Sequence, residues 1–164
     1  MLKYMDVKVT FAEVPDEVTL AINISNCPCQ CKGCHSSYLA QDIGKPLNKT
    51  SLSELIEGNK GVSCVAFMGG DSNVIHLVAL ASWVKTHTNL KVAWYSGRQE
   101  LADVVARQLR WFDFIKLGPY KEELGPLNSR TTNQRFYEVE PFDEVIPGDF
   151  VLSDITDKFW KHTS

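Results

Sequence analysis

The chain has 164 residues, 44% hydrophobic and 23% charged, and its 17 basic against 20 acidic side chains leave a formal charge of −3. That composition predicts a single domain over residues 1–164 with a sizeable core, and it excludes a mostly disordered chain or a nucleic-acid binder working through a general basic surface. The most apolar long stretch, Val74 to Val84, is too short to span a bilayer, and the first nine residues lack a signal-peptide core. A cytoplasmic protein without nucleic-acid or membrane partners is expected.

Val7 to Glu13 alternates as a half-buried strand does, Pro15-Asp16-Glu17 reads as a turn, and Val18 to Ser25 reads as a second strand. Together they predict an N-terminal hairpin that delivers a cysteine-rich segment at its exit. Polar sequence follows to Asn48. Ser51 with Glu54 then has the spacing of a capping box ahead of a short helix carrying Leu52, Leu55 and Ile56, which Gly58 and Gly61 end. Val62 to Met68 is an apolar run of buried-strand type closed by Gly69-Gly70-Asp71, and Val74, Leu77, Val78 and Ala81 mark one face of a helix.

Lys91 to Tyr95 predicts a further strand, punctuated by Ser96-Gly97. Leu101, Val104, Val105 and Leu109 predict an amphipathic helix, with Ser96 and Gln99 as its capping pair, and Phe112 to Leu117 predicts another strand ended by Gly118-Pro119. This strand–helix alternation argues for a mostly parallel α/β sheet, open or partly closed, with too few strands for a complete eight-unit barrel. The tail from Lys121 is polar and Pro-rich, with one clear strand at Arg135 to Val139 and a last aromatic pair, Phe159-Trp160.

Five cysteines are present, and four of them, Cys27, Cys29, Cys31 and Cys34, fall within eight residues. A disulfide framework would spread its cysteines to staple distant segments, so this crowding reads as metal or cluster ligation. Cys64 stands alone in an apolar run and reads as a small buried hydrophobe. Cys27-x3-Cys31-x2-Cys34 supplies three thiolates, and the chemistry turns on Cys29: without it as a ligand a four-iron cluster keeps one iron open to a small molecule, whereas four cysteine ligands leave a cluster that only passes electrons. A structural zinc site using these cysteines or His35 is the plainer alternative, but zinc ribbons pair two knuckles and the chain has no second one. A ferredoxin-type cluster would need a distant fourth cysteine, for which only Cys64 is available, and a redox-sensing thiol group remains open.

Asn26-Cys27-Pro28-Cys29-Gln30-Cys31-Lys32-Gly33-Cys34-His35 resembles the cluster loop of radical S-adenosylmethionine enzymes. Within those it is most similar to the activating proteins of anaerobic ribonucleotide reductase. Gly69-Gly70-Asp71 resembles the Gly-Gly-Glu/Asp element of that superfamily. Phe114-Ile115-Lys116-Leu117-Gly118-Pro119-Tyr120 and Thr132-Asn133-Gln134-Arg135 resemble late motifs of the activases.

The resemblance implies a partial, open βα barrel of radical-SAM type with an N-terminal hairpin, and a [4Fe–4S] cluster on Cys27, Cys31 and Cys34. It also implies S-adenosyl-L-methionine as cofactor, cleaved reductively to methionine and a 5′-deoxyadenosyl radical, with the protein binding, orienting and excluding competitors. Gly33, Cys34 and His35 would line the adenine side, Gly69, Gly70 and Asp71 the methionine side, and Ser96 and Lys116 the ribose or carboxylate. Each has a plainer reading: Asp71 or Ser72 as a helix cap, and Ser96 and Lys116 as a cap and a surface charge. His76 and His87 read as structural or solvated.

The implied partners are the large glycyl-radical subunit of anaerobic ribonucleoside-triphosphate reductase and a low-potential donor such as flavodoxin. An activase of the pyruvate formate-lyase type, or a non-catalytic iron–sulfur or zinc protein, is the alternative. Pro15-Asp16-Glu17 replaces the Gly-rich turn usual in such activases, and Cys29 is an uncommon occupant of its position.

Overall fold

A computed structural model describes residues 1–26, 42–142 and 149–160. Among the described residues eight strands form one sheet: β1 Lys3–Thr10, β2 Thr19–Ile24, β3 Lys45–Pro46, β4 Cys64–Met68, β5 Lys91–Tyr95, β6 Phe114–Leu117, β7 Arg135–Pro141 and β8 Phe150–Asp154. Their order across the sheet is β3-β1-β2-β4-β5-β6-β7-β8. The central pairs β2–β4, β4–β5 and β5–β6 are parallel. Both flanks are antiparallel, through β1–β2 and β1–β3 on one side and β6–β7 and β7–β8 on the other.

This corrects the expected partial barrel of radical-SAM type with a mostly parallel sheet. The sheet is mixed, and its described helices are few: α1 Lys49–Glu57, α2 Val74–His87 and a four-residue α3, Asp103–Ala106. The physical cause lies in two segments. The amphipathic pattern Leu101–Leu109 does not propagate; Ala102 caps α3 without a side-chain bond, and the chain turns to a short 3-10 segment at Leu109–Trp111. Beyond β6, Gly118-Pro119 and Gly125-Pro126 break helix formation. No crossover helix forms there, and the chain returns antiparallel as β7. The short strands β3 and β8 had no counterpart in the sequence reading.

The two faces of the sheet are unlike. Alternate side chains Leu20, Ile22, Ile24, Val65, Phe67, Val92, Trp94 and Ile115 pack in one core with Leu52 of α1 and Leu77, Leu80, Ala81 and Val84 of α2. The opposite face carries Cys64, Ala66, Ala93, Phe114 and Phe136 and is covered by Val14, Leu127 and Phe159. Because β2, β4, β5 and β6 run parallel, their carboxyl ends share one edge, where loops rather than strands present side chains.

The amino edge is tied by charge. Lys91 Nζ lies 2.7 Å from Glu17 Oε1, and Ser63 Oγ donates to Glu17 Oε2 at 2.5 Å. Burial raises the pKa of Glu17, but the Lys91 and Ser63 hydrogen bonds and the Lys91 charge outweigh it and hold the carboxyl below its ordinary value. No helix among the described residues is long and apolar enough to cross a membrane.

Candidate functional site

β2 ends at Ile24, and the next two residues set the start of the cysteine segment. Ser25 is buried, and Asn26 takes a left-handed φ of 58°, a conformation that asparagine tolerates better than most residues. Cys27, Cys29, Cys31, Gly33, Cys34 and His35 lie outside the described residues. The edge at which β2 ends is described: the ends of β4, β5 and β6 carry Gly69-Gly70-Asp71, Ser96-Gly97-Arg98 and Lys116 to Tyr120.

Asp71 organises that edge. It is 4% exposed, and its carboxylate accepts from Ser96 Oγ at 2.6 Å and from the Gly97 amide at 2.9 Å. Arg98 stands over it, with Nε 3.7 Å from Oδ1 and Nη2 donating to the Asp71 carbonyl at 3.3 Å. The reading of Asp71 or Ser72 as a helix cap is corrected: Asn73 caps α2, its side chain accepting from the His76 amide. Ser96 caps no helix either, since its hydroxyl binds Asp71 and accepts from the Arg98 amide at 3.1 Å. The capping box expected at Ser51 and Glu54 is shifted; Asn48 and Ser51 exchange the two bonds.

Gly69 and Gly70 have φ of 119° and 106°, which L side chains rarely adopt. A Cβ on Gly70 would meet Leu77 Cδ1 at 3.3 Å and Ile24 Cδ1 at 3.7 Å, and one on Gly69 the Ile24 carbonyl at 3.1 Å. These glycines therefore serve the turn and its packing directly. Gly69 is also held through its amide, which donates to Tyr95 O at 3.0 Å, and its carbonyl, which accepts from Trp94 Nε1 at 2.8 Å.

Lys116 is 7% exposed and so is no surface charge. Its Nζ donates to Gly118 O at 3.0 Å and lies 5.7 Å from the centre of the Tyr95 ring. Burial raises the Tyr95 pKa well above its ordinary value, and its hydroxyl donates to the Glu13 carbonyl. Gly118-Pro119 meets the later Asn133-Gln134: Asn133 Nδ2 donates to Pro119 O at 3.1 Å and Gln134 Nε2 to Gly118 O at 3.4 Å. Two motifs separated in sequence are one corner of the sheet.

Arg98 was not singled out from the sequence, and neither was Ser25. The only signal for Arg98 was its place just after the Ser96-Gly97 punctuation of a strand. His76 accepts from the Leu2 amide at 3.1 Å and His87 stacks on Trp83, so both have structural roles.

The donor chemistry narrows where iron can be held. Among the described residues no three His, Cys, Asp or Glu side chains are grouped to hold a metal. Cys64 is fully buried, and burial followed by the charges of Glu17 and Asp113 pushes its thiol up to about 12, so it supplies no thiolate at neutral pH. The donor set that fits an iron–sulfur cluster is the four thiols at 27–34.

Comparison with known proteins agrees on the group. No curated protein and no solved structure matches the chain. Residues 18–138 match the family described as 4Fe-4S single cluster domain, a stretch that opens just before β2 and reaches into β7. The chain belongs to the 4Fe-4S single cluster domain family and is an iron–sulfur protein.

Proposed function

We propose that this protein is a radical S-adenosylmethionine activase, in which Cys27, Cys31 and Cys34 hold the cluster and one iron is left for S-adenosyl-L-methionine. What supports the reading most is the carboxyl edge itself. The chain enters the cysteine segment there from β2, and the three other motifs that resemble those of activases sit on the same edge, at the ends of β4 and β6 and at the start of β7. When bound, the reduced cluster would supply the electron that cleaves S-adenosylmethionine.

The residues of this chain have defined work in that reading. Asp71, fixed by Ser96, Gly97 and Arg98, holds the loops after β4 and β5 in one arrangement at the edge where β2 ends. The buried Lys116 ammonium brings positive charge to the same edge, where an anionic group of a ligand would be favoured. Gly33, Cys34 and His35 complete the ligand site, and residues 1–164 act as one unit in a reducing cytoplasm, where thiols remain available. A site that makes a reactive radical must exclude water, and we assign the closing surface to a protein substrate: a glycine of the large anaerobic ribonucleoside-triphosphate reductase subunit, with flavodoxin or a similar low-potential donor as reductant.

Mixing the reduced protein with that reductase and S-adenosylmethionine, without oxygen, is expected to give a carbon-centred doublet in electron paramagnetic resonance. The doublet is expected to vanish when the reductase's radical-bearing glycine is changed to alanine. A doublet only with pyruvate formate-lyase would move the assignment to that class of partner. No cleavage with either would leave an electron-carrying iron–sulfur protein.

A further inference from the structure

The residues just before and just after the cysteine segment are tied to each other. Ser25 Oγ lies 2.5 Å from the Ile43 carbonyl and 3.4 Å from the Lys3 carbonyl. A serine hydroxyl has one proton to donate, and Lys3 O already accepts from the Ser25 amide at 2.9 Å. The hydroxyl therefore serves Ile43. The Leu47 amide donates to Leu2 O at 2.8 Å and joins the following β3 segment to the same strand β1. The Lys3–Asp42 ion pair at 3.3 Å is exposed and adds little. Ser25 is 1% exposed, so its bond to Ile43 is shielded from competing water.

We propose that Ser25 is a positioning residue for the cluster: its hydroxyl clasps the two ends of the segment that carries Cys27, Cys31 and Cys34. Bringing the two ends of a stretch of chain together costs entropy that grows with its length. With the clasp made on folding, that cost is met before any thiolate engages iron, and iron release must work against a closed base. The proposal rests on the reading of those cysteines as ligands.

The test uses the full-length protein, reconstituted anaerobically with iron and sulfide, and follows loss of cluster absorbance to excess EDTA. Ser25→Ala keeps the backbone bond to Lys3 and is expected to load the same iron per chain, yet release it about fivefold faster, the factor expected for one hydrogen bond. A serine with only a structural role would lower the urea midpoint of the apo-protein and leave release from the folded holo-protein unchanged. Equal release rates in wild type and Ser25→Ala overturn the clasp. Where Ser25→Ala does not fold, Ser25→Thr against Ser25→Val makes the same comparison at constant shape, and slower release from the Thr variant is expected; equal rates overturn the proposal. Cys27→Ala separates the two readings. A variant that keeps its cluster removes the ligand assignment and the clasp with it, whereas a variant that loses its cluster, beside unchanged release from Ser25→Ala, removes the clasp alone.

Discussion

Asp71 shows how a single buried carboxylate fixes an edge. Its two oxygens accept from a hydroxyl and a backbone amide that both belong to the loop after β5. Asn in its place keeps the shape but turns one acceptor into a donor facing a donor. Asp71→Asn is therefore expected to cost about 2 kcal/mol, the scale of a hydrogen bond to a charged group, measured as a fall in the urea midpoint of the apo-protein. Arg98 is half exposed, so Arg98→Ala is expected to cost less than Asp71→Asn in the same measurement.

His76 gives a pH dependence of known sign. Burial, and then the N-terminal ammonium, lower its pKa from the ordinary 6.5. The folded state thus binds fewer protons than the unfolded state, so stability is full above about pH 6.5 and falls as pH drops toward the folded value. The geometry agrees, because a protonated Nδ1 cannot accept from the Leu2 amide. His76→Gln keeps an acceptor that does not titrate. The wild-type melting temperature is expected to fall more than that of His76→Gln between pH 7.5 and 5.5, and equal falls would remove His76 as the cause.

At the scale of elements, the strands were more legible than the helices that accompany them. The apolar runs at β4, β5 and β6 stood out because both faces of these central strands are covered, so nearly every position is apolar. The sequence pattern puts β1 at Val7–Glu13, a few residues beyond the observed Lys3–Thr10, because Met5 and Val9 on this flank strand are exposed and blur the alternation. β8 was missed for the same reason, since Phe150–Asp154 pairs on one side only and holds no fully buried residue. The site divides likewise. Gly69, Gly70 and Asp71 were legible as a motif, but the partners of Asp71 lie 25 and 26 residues away, and only the parallel pairing of β4 with β5 brings them together.

The turn at Gly69-Gly70 makes its own prediction. Gly70→Val places a branched side chain at φ 106° against Leu77, so it is expected to destabilise the fold by about 1–3 kcal/mol, read as a lower melting temperature of the apo-protein. Poor binding of S-adenosylmethionine by this variant would then report folding as well as contact. A Gly70→Val protein as stable as wild type would show that the turn relaxes freely.

For the whole molecule, the asymmetry of the sheet is the organising fact. Helices α1 and α2 cover one face, antiparallel strands close both flanks, and the carboxyl edge is left to loops that carry the motifs. Thiol chemistry is partitioned on the same plan, with Cys64 sealed in the core and the other four cysteines in the segment that follows β2. The central claim is that a cluster on Cys27, Cys31 and Cys34 leaves an iron for S-adenosylmethionine. The direct measurement is 5′-deoxyadenosine formed when anaerobically reconstituted protein is reduced with dithionite in the presence of S-adenosylmethionine. Product is expected from wild type, Cys29→Ala and Cys64→Ala, and none from Cys27→Ala, Cys31→Ala or Cys34→Ala; a wild-type protein that carries its full [4Fe–4S] cluster and forms no 5′-deoxyadenosine would contradict the account.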